Sequence, residues 1–141
     1  MKKHLIHVVV VLAVLILAGL SQAAQLKTKE DVLAHLIANS PWRGTWVWHG
    51  PRGIANGGMT AMFRKEGGYL YFTHTARPVD GDIKNLEILL EGDKVTLTFI
   101  NSNIDSLARY KLELKDDKLV GIAERIGAVS DIELAPQNPT K

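Results

Sequence analysis

Cysteine is absent from this sequence of 141 residues. No disulfide can therefore stabilise the fold, no thiolate can bind a metal or act as a nucleophile, and no lipoprotein anchor can form on a cysteine. Glycosylation sites of the Asn-x-Ser/Thr type with a permitted middle residue are also lacking. Because exported eukaryotic domains of this size usually carry disulfides, these absences favour a bacterial protein that is held together by packing.

Apolar runs long enough to suggest export or a membrane occur only at the N-terminus. Lys2-Lys3 precede an apolar segment from Leu5 to Leu20, and Ser21-Gln22-Ala23 supplies the small residues of a cleavage site. We predict a signal peptide over residues 1–23, cleaved after Ala23 or after Ala24, and a periplasmic or secreted location. The alternative is a retained anchor, but the run is shorter than the roughly 20 apolar residues of a spanning helix. No stable membrane anchor is then expected in the mature protein.

Positive and negative side chains are nearly equal in number. The sequence has 17 Lys and Arg against 15 Asp and Glu, and two of the lysines belong to the predicted signal peptide. The basic residues are scattered singly along the mature chain. Since nucleic-acid binding requires a clustered cationic face, we expect no nucleic-acid partner.

The mature chain begins with a helical pattern. Thr28 and Asp31 have the spacing of a capping box, and an apolar stripe at helical period follows them. Asn39-Ser40-Pro41 ends the pattern, because a proline disfavours helical geometry in the residue before it. We predict a short amphipathic helix over 28–38 that covers one end of a sheet or barrel.

The remainder of the chain alternates between apolar and polar residues. Trp42, Gly44, Trp46 and Trp48 share one phase, and similar alternation continues to about residue 135, followed by a polar tail over 136–141. Eight predicted strands joined mostly by short turns imply antiparallel neighbours. Closure removes the two free edges of such a sheet. We therefore predict one mainly β domain over 24–135, an eight-stranded antiparallel up-and-down barrel, with an open sheet or two-sheet sandwich as the alternative.

One motif suggests a family. A short helix followed by Gly44-Thr45-Trp46 at the start of the first of eight strands resembles the Gly-x-Trp motif of lipocalins and the wider calycin group. The resemblance implies that Trp46 plugs the closed end of the barrel and that Arg125 packs across it. The chain departs from the family in its shorter length, and it lacks the helix after the last strand, a Thr-Asp-Tyr-like motif and disulfides.

Several inward-phase side chains are candidate ligand contacts. Trp48, Phe72 and Phe99 could stack against an apolar molecule, and the polar groups of His74 and Tyr110 could orient it. The alternative is that these aromatic side chains are core residues and that His74 is paired inside the protein. The glycine-rich segment from Gly50 to Gly58 is expected to be an irregular loop that gates the barrel mouth.

Motifs of catalysis and of metal or cofactor binding are missing. No phosphate-binding loop, serine nucleophile elbow or histidine–glutamate pair with metal-ligand spacing occurs. Asp80 and Asp82 are explained as turn residues rather than calcium ligands, since the remainder of a calcium loop is absent. We expect no enzymatic activity, no cofactor and no metal.

Two functions remain open at this point. The favoured one is an exported binding module that holds a small apolar or amphipathic ligand inside the barrel. The second is a protein that acts through its outer surface, as an inhibitor or an envelope-assembly factor, with the barrel only as a scaffold. The sequence does not identify a protein partner.

Overall fold

The computed structural model describes residues 26–74, 77–103 and 106–137. It contains one helix, α1 (Lys29–Ala38), followed by eight strands. These strands are β1 (Trp42–Gly50), β2 (Gly53–Arg64), β3 (Gly67–His74), β4 (Arg77–Glu91), β5 (Lys94–Asn103), β6 (Ser106–Lys115), β7 (Lys118–Arg125) and β8 (Ala128–Pro136). The predicted signal peptide over residues 1–23 lies outside the described residues.

The strands form a closed antiparallel barrel in sequence order, from β1 to β8 and back to β1. Trp42 pairs with Ala61 of β2 on one side and with Pro136 of β8 on the other, which closes the ring. A backbone hydrogen bond of 3.0 Å from Gln137 N–H to the carbonyl of Pro41 continues this closure beyond β8. The predicted eight-stranded barrel is confirmed, and an open sheet and a sandwich are excluded.

Alternation along the strands separates the interior from the surface. Leu97, Phe99 and Leu112 are buried, in the phase expected from the sequence. Their neighbours Thr98 and Lys111, which pair across β5 and β6, are more exposed. The apolar interior explains why this sheet closes without disulfides, because burial of apolar surface supplies the main driving force.

Helix α1 covers one end of the barrel. Its N-terminus has the predicted capping box, with the Thr28 hydroxyl accepting from Asp31 N–H and the Asp31 carboxylate accepting from Thr28 N–H, both at 3.1 Å. Val32 and Leu36 on the inner face of the helix are fully buried against the barrel core. We call this end, to which the turns after β2, β4 and β6 also belong, the covered end.

A network of polar contacts fixes the helix on the barrel. The indole N–H of Trp42 donates to the carbonyl of Leu36 at 2.9 Å, and the hydroxyl of Ser40 donates to the same carbonyl at 2.9 Å. Ser40 Oγ also accepts from the backbone N–H of Phe63 at 3.0 Å. Trp42 is completely buried, so the last turn of α1, β1 and β2 are joined around one tryptophan.

The opposite end, which we call the open end, is where β1, β3, β5 and β7 end. Here the prediction of an irregular loop from Gly50 to Gly58 is wrong. Only Pro51 and Arg52 form the turn, and the glycine-rich segment is the first half of β2. Among its glycines, Gly57 faces the Trp46 ring of β1 and the backbone oxygen of Thr73 on β3, and Gly53 has a positive φ of 118° beside the turn.

Strand β4 is longer than the sequence pattern indicated. It begins at Arg77, and its register with β5 shifts between Lys84 and Glu87. Asn85 adopts a positive φ of 54° at this irregularity, as expected for a β-bulge. Asp80 and Asp82 therefore lie in a strand, which corrects their interpretation as turn residues.

Within the part of the chain that the structure describes, no helix has the length and apolar character needed to cross a membrane.

Candidate functional site

A cavity of about 340 Å³ lies inside the barrel toward the open end. Its wall is mainly apolar and contains four aromatic side chains, Trp46, Trp48, Phe72 and Tyr110. Small residues, Ala55, Ala108 and Ala123, leave the space that these rings do not fill. The volume falls within the range of about 300–1,000 Å³ that is usual for sites that bind small molecules.

The aromatic wall on β1 depends on two glycines. A Cβ atom on Gly57 would lie 2.7 Å from the Trp46 ring, and one on Gly50 would lie 1.9 Å from the Trp48 ring. Both distances are far shorter than van der Waals contact, so only glycine permits these rings to lie where they do. A Cβ on Gly57 would also lie 2.0 Å from the backbone oxygen of Thr73, so this glycine serves the approach of β3 as well as the Trp46 ring, and Gly53 and Gly58 face no tryptophan.

His74 lies at the edge of the cavity and stacks on Trp46. The two ring centroids are 5.5 Å apart and the planes are inclined by 20°. The His74 side chain faces the cavity, as its phase predicted, but it is solvent-exposed rather than buried in an apolar row. The expectation that it is enclosed in the interior is therefore wrong, because β3 ends here and the open end admits solvent.

Tyr110 forms the deepest polar part of the wall. Its ring stacks on Phe99 with a centroid distance of 4.8 Å, and Phe99 meets Phe63 edge to face at 6.3 Å. Burial raises the pKa of Tyr110 to about 12, while the neighbouring Asn101 amide and the positive charge of Arg125 oppose this increase. The phenol therefore stays neutral at physiological pH and retains its O–H as a hydrogen-bond donor.

Two buried polar atoms of the wall have no hydrogen-bond partner among the described residues. They are the indole Nε1 of Trp46 and the amide Oδ1 of Asn101. The Asn101 residue is almost completely buried. Buried donors and acceptors without a partner are costly, and both residues belong to the cavity wall.

Four of the five predicted ligand contacts lie together in the cavity wall: Trp48, Phe72, His74 and Tyr110. The fifth, Phe99, lies behind Tyr110 and supports it from the core without itself lining the cavity.

The two residues assigned to a structural plug, Trp46 and Arg125, also line the cavity. Trp42, four residues before Trp46 on the same face of β1, fills the covered end instead. Trp42 is not part of a Gly-x-Trp motif, so the tryptophan at the covered end is not the one that the lipocalin resemblance indicated.

The sequence did not reveal Asn101, Ser130 and the small residues of the wall. Asn101 follows the clear alternation of β5 in the inward phase, so its phase was a signal that could have identified it. The alanines carry no such signal, because an alanine has the same pattern in a packed core as in a cavity wall.

Metal and ion-pair chemistry is sparse in this region. Among residues 26–74, 77–103 and 106–137, no group of three His, Asp or Glu side chains is placed to hold a metal ion. His49 points away from the cavity, and its Nε2 donates a 2.7 Å hydrogen bond to the Asp131 carboxylate on the outer surface. The exposed ion pair between Lys118 and Glu133 likewise lies outside the barrel.

Comparison with protein-family models, with curated proteins and with solved structures finds no significant match to this chain. The lipocalin-like character of the protein thus consists of a closed eight-stranded barrel with a helix at one end.

Proposed function

We propose that this protein is a binding module that holds a small apolar or amphipathic molecule in the cavity at the open end of the barrel. The observation that carries the proposal is the cavity itself, which has a mainly apolar wall with aromatic side chains and few polar groups. We further propose that the module works after export, in the periplasm or outside a bacterial cell, as the N-terminal sequence suggests.

The two ends of the barrel support this proposal by their difference. At the covered end the side chains of Leu36, Trp42 and Leu119 are fully buried inside the barrel, as barrels of eight strands permit. At the open end the same barrel has alanines and glycines at inward positions and leaves a space. A barrel that was only a scaffold would gain stability from larger side chains there, because filling a cavity adds apolar contacts.

Filling the cavity from inside tests the proposal. In Ala108→Phe the new ring would occupy the cavity, whereas in Leu107→Phe the neighbouring side chain points outward and is largely exposed. With the neutral fluorescent probe N-phenyl-1-naphthylamine, we expect saturable binding by the wild-type protein and by Leu107→Phe, and binding weakened at least tenfold in Ala108→Phe. Circular dichroism shows whether both variants are folded. Equal binding by the two variants would place the probe elsewhere and refute the proposal.

Native mass spectrometry of protein purified under mild conditions supplies a second test. We expect a bound mass that is lost on mild activation, and a higher melting temperature when the molecule is present. A wild-type protein that carries no mass, binds no apolar probe and shows no ligand-dependent melting shift would contradict the proposal.

A protein that acts through its surface is the second candidate, and one observation favours it. Four apolar side chains at the open end are strongly exposed: Ile54, Leu107, Ile126 and Val129. Exposed apolar patches commonly mark interaction sites. Recovery of a stoichiometric protein from an envelope extract by the wild type, but not by Leu107→Ser combined with Ile126→Ser, would favour this function.

A further inference from the structure

The charges around the cavity have one sign. Arg125 and His74 line it, and no aspartate or glutamate does so among the residues that the structure describes. Tyr110, the remaining acidic group of the wall, keeps its proton because burial raises its pKa to about 12. At neutral pH the described wall therefore contains a permanent positive charge and no negative one.

Arg125 has no carboxylate partner in the described part of the protein. The observed ion pairs join other residues, such as Lys118 with Glu133 and Lys94 with Glu113. Arg125 is exposed at the end of β7, yet its guanidinium is close enough to the buried phenol of Tyr110 to influence it. An arginine at this position can bind a planar anion by two parallel hydrogen bonds without first giving up another partner.

The unpaired N–H of Trp46 supplies another donor in the same wall. The Asn101 amide can supply a third. A 180° flip of this side-chain amide would direct its oxygen to the hydroxyl of Tyr110. Its NH₂ group would then take the position of the unpaired oxygen. With the amide in that orientation, donors and positive charge outnumber acceptors in the polar part of the cavity.

We infer that the bound molecule is an amphipathic anion, with an apolar body inside the cavity and a carboxylate held by Arg125 and the indole N–H of Trp46. The inference rests on the proposed function, since it names the ligand class of the same cavity. The main alternative is a neutral ligand with a hydroxyl head group, because a hydroxyl could accept from the Trp46 N–H and donate to the Asn101 oxygen in its present orientation.

Two competitors with the same chain, decanoate and 1-decanol, separate these ligand classes. Each is titrated against wild-type protein loaded with N-phenyl-1-naphthylamine, with sodium acetate as the ion control. We expect decanoate to displace the probe at a concentration roughly tenfold lower than decanol, which corresponds to one charge-assisted contact. Acetate is expected to displace nothing, since it lacks the apolar body.

Variants then assign the contact to its residues. Arg125→Met should weaken decanoate about tenfold and leave decanol unchanged, and Arg125→Lys should restore part of the loss. Trp46→Phe, which keeps a ring but removes the N–H, should weaken decanoate a few-fold. Arg52→Met is the matched control, because Arg52 is an exposed cation of the open end that does not line the cavity, and it should change neither competitor.

The outcomes distinguish the ligand class from the binding function itself. Probe binding with equal displacement by decanol and decanoate, or an Arg125→Met variant that weakens both equally, would overturn the anion inference and leave the binding function standing. Absence of probe binding by the folded wild-type protein would instead overturn the proposed function. Circular dichroism of Arg125→Met verifies that a lost preference does not come from unfolding.

Discussion

Two tryptophans on the same face of β1 have opposite surroundings. Trp42 at the covered end is fully buried, and its N–H is bonded to the carbonyl of Leu36. Trp46 lies four residues further along the strand, lines the cavity, and its N–H has no partner in the described part of the protein. Trp42 thus stabilises the fold through a hydrogen bond, whereas the N–H donor of Trp46 is not used within the described part of the protein. Burial and hydrogen bonding, and not residue identity, separate the two roles.

The largest expected effect concerns the covered end. Trp42→Ala should lower the free energy of unfolding by about 3–5 kcal/mol, because it leaves a cavity in the core and removes the bond to the helix. Trp48→Ala at the open end, where the indole is only partly buried, should cost much less and should weaken probe binding instead. Urea unfolding and probe titration of both variants measure the contrast. Equal losses of stability would show that the two ends are energetically alike.

The open end should also determine the alkaline stability of the protein. The pKa of Tyr110 is raised to about 12 from 10.0, so the unfolded chain releases this proton first and stability falls as pH rises from 10 to 12. The expected loss is about 2–3 kcal/mol, and it is absent below pH 10.

Two phenylalanine variants test this assignment by urea unfolding as a function of pH. Tyr110→Phe should reduce the fall in stability between pH 10 and 12. Tyr69→Phe is the control, because its phenol lies on the outer face, where a 2.6 Å hydrogen bond to Asp80 raises its pKa to about 12. Solvent screens that group, so its removal should change the slope less. A larger effect of Tyr69→Phe would contradict the role of burial.

A smaller loss of stability is expected at the N-terminal cap of α1. Thr28→Ala removes the hydroxyl of the capping box and should cost about 1 kcal/mol of stability. Because α1 lies at the covered end, binding of the neutral probe should not change. Thermal unfolding and probe titration, with Lys29→Ala as control, check both expectations. A variant that lost probe affinity while remaining folded would show that the helix influences the cavity.

The predictable and the unpredictable parts of this molecule differ in their physical origin. The capping box, the stop at Pro41 and the alternation of Val95, Leu97 and Phe99 are local signals, and each was confirmed. The first half of β2 was not recognised as a strand. Glycines usually interrupt strands, and here Gly57 is required by the Trp46 ring of β1 and by the backbone of Thr73 on β3. Such a requirement exists only once the strands are paired.

The candidate site shows the same limit. The inward phase correctly brought Phe72, His74 and Tyr110 to one region, because alternation is a property of each strand alone. Which end of the barrel a residue belongs to depends on the stagger between strands, and a sequence does not state it directly. Trp46 was assigned to the closed end from its Gly-x-Trp motif alone, whereas Trp42 is the tryptophan buried at the covered end.

The hydrogen bond between Gln137 and Pro41 holds the end of β8 beside the start of β1, at the covered end of the barrel. The first strand starts and the last strand stops beside α1, so a tether joined after residue 137 leaves from the far side of the cavity. A sensor chip or bead that holds the protein by its C-terminus would therefore present every molecule with its mouth toward the solution. Immobilisation through the hairpin turns at the other end would obstruct it.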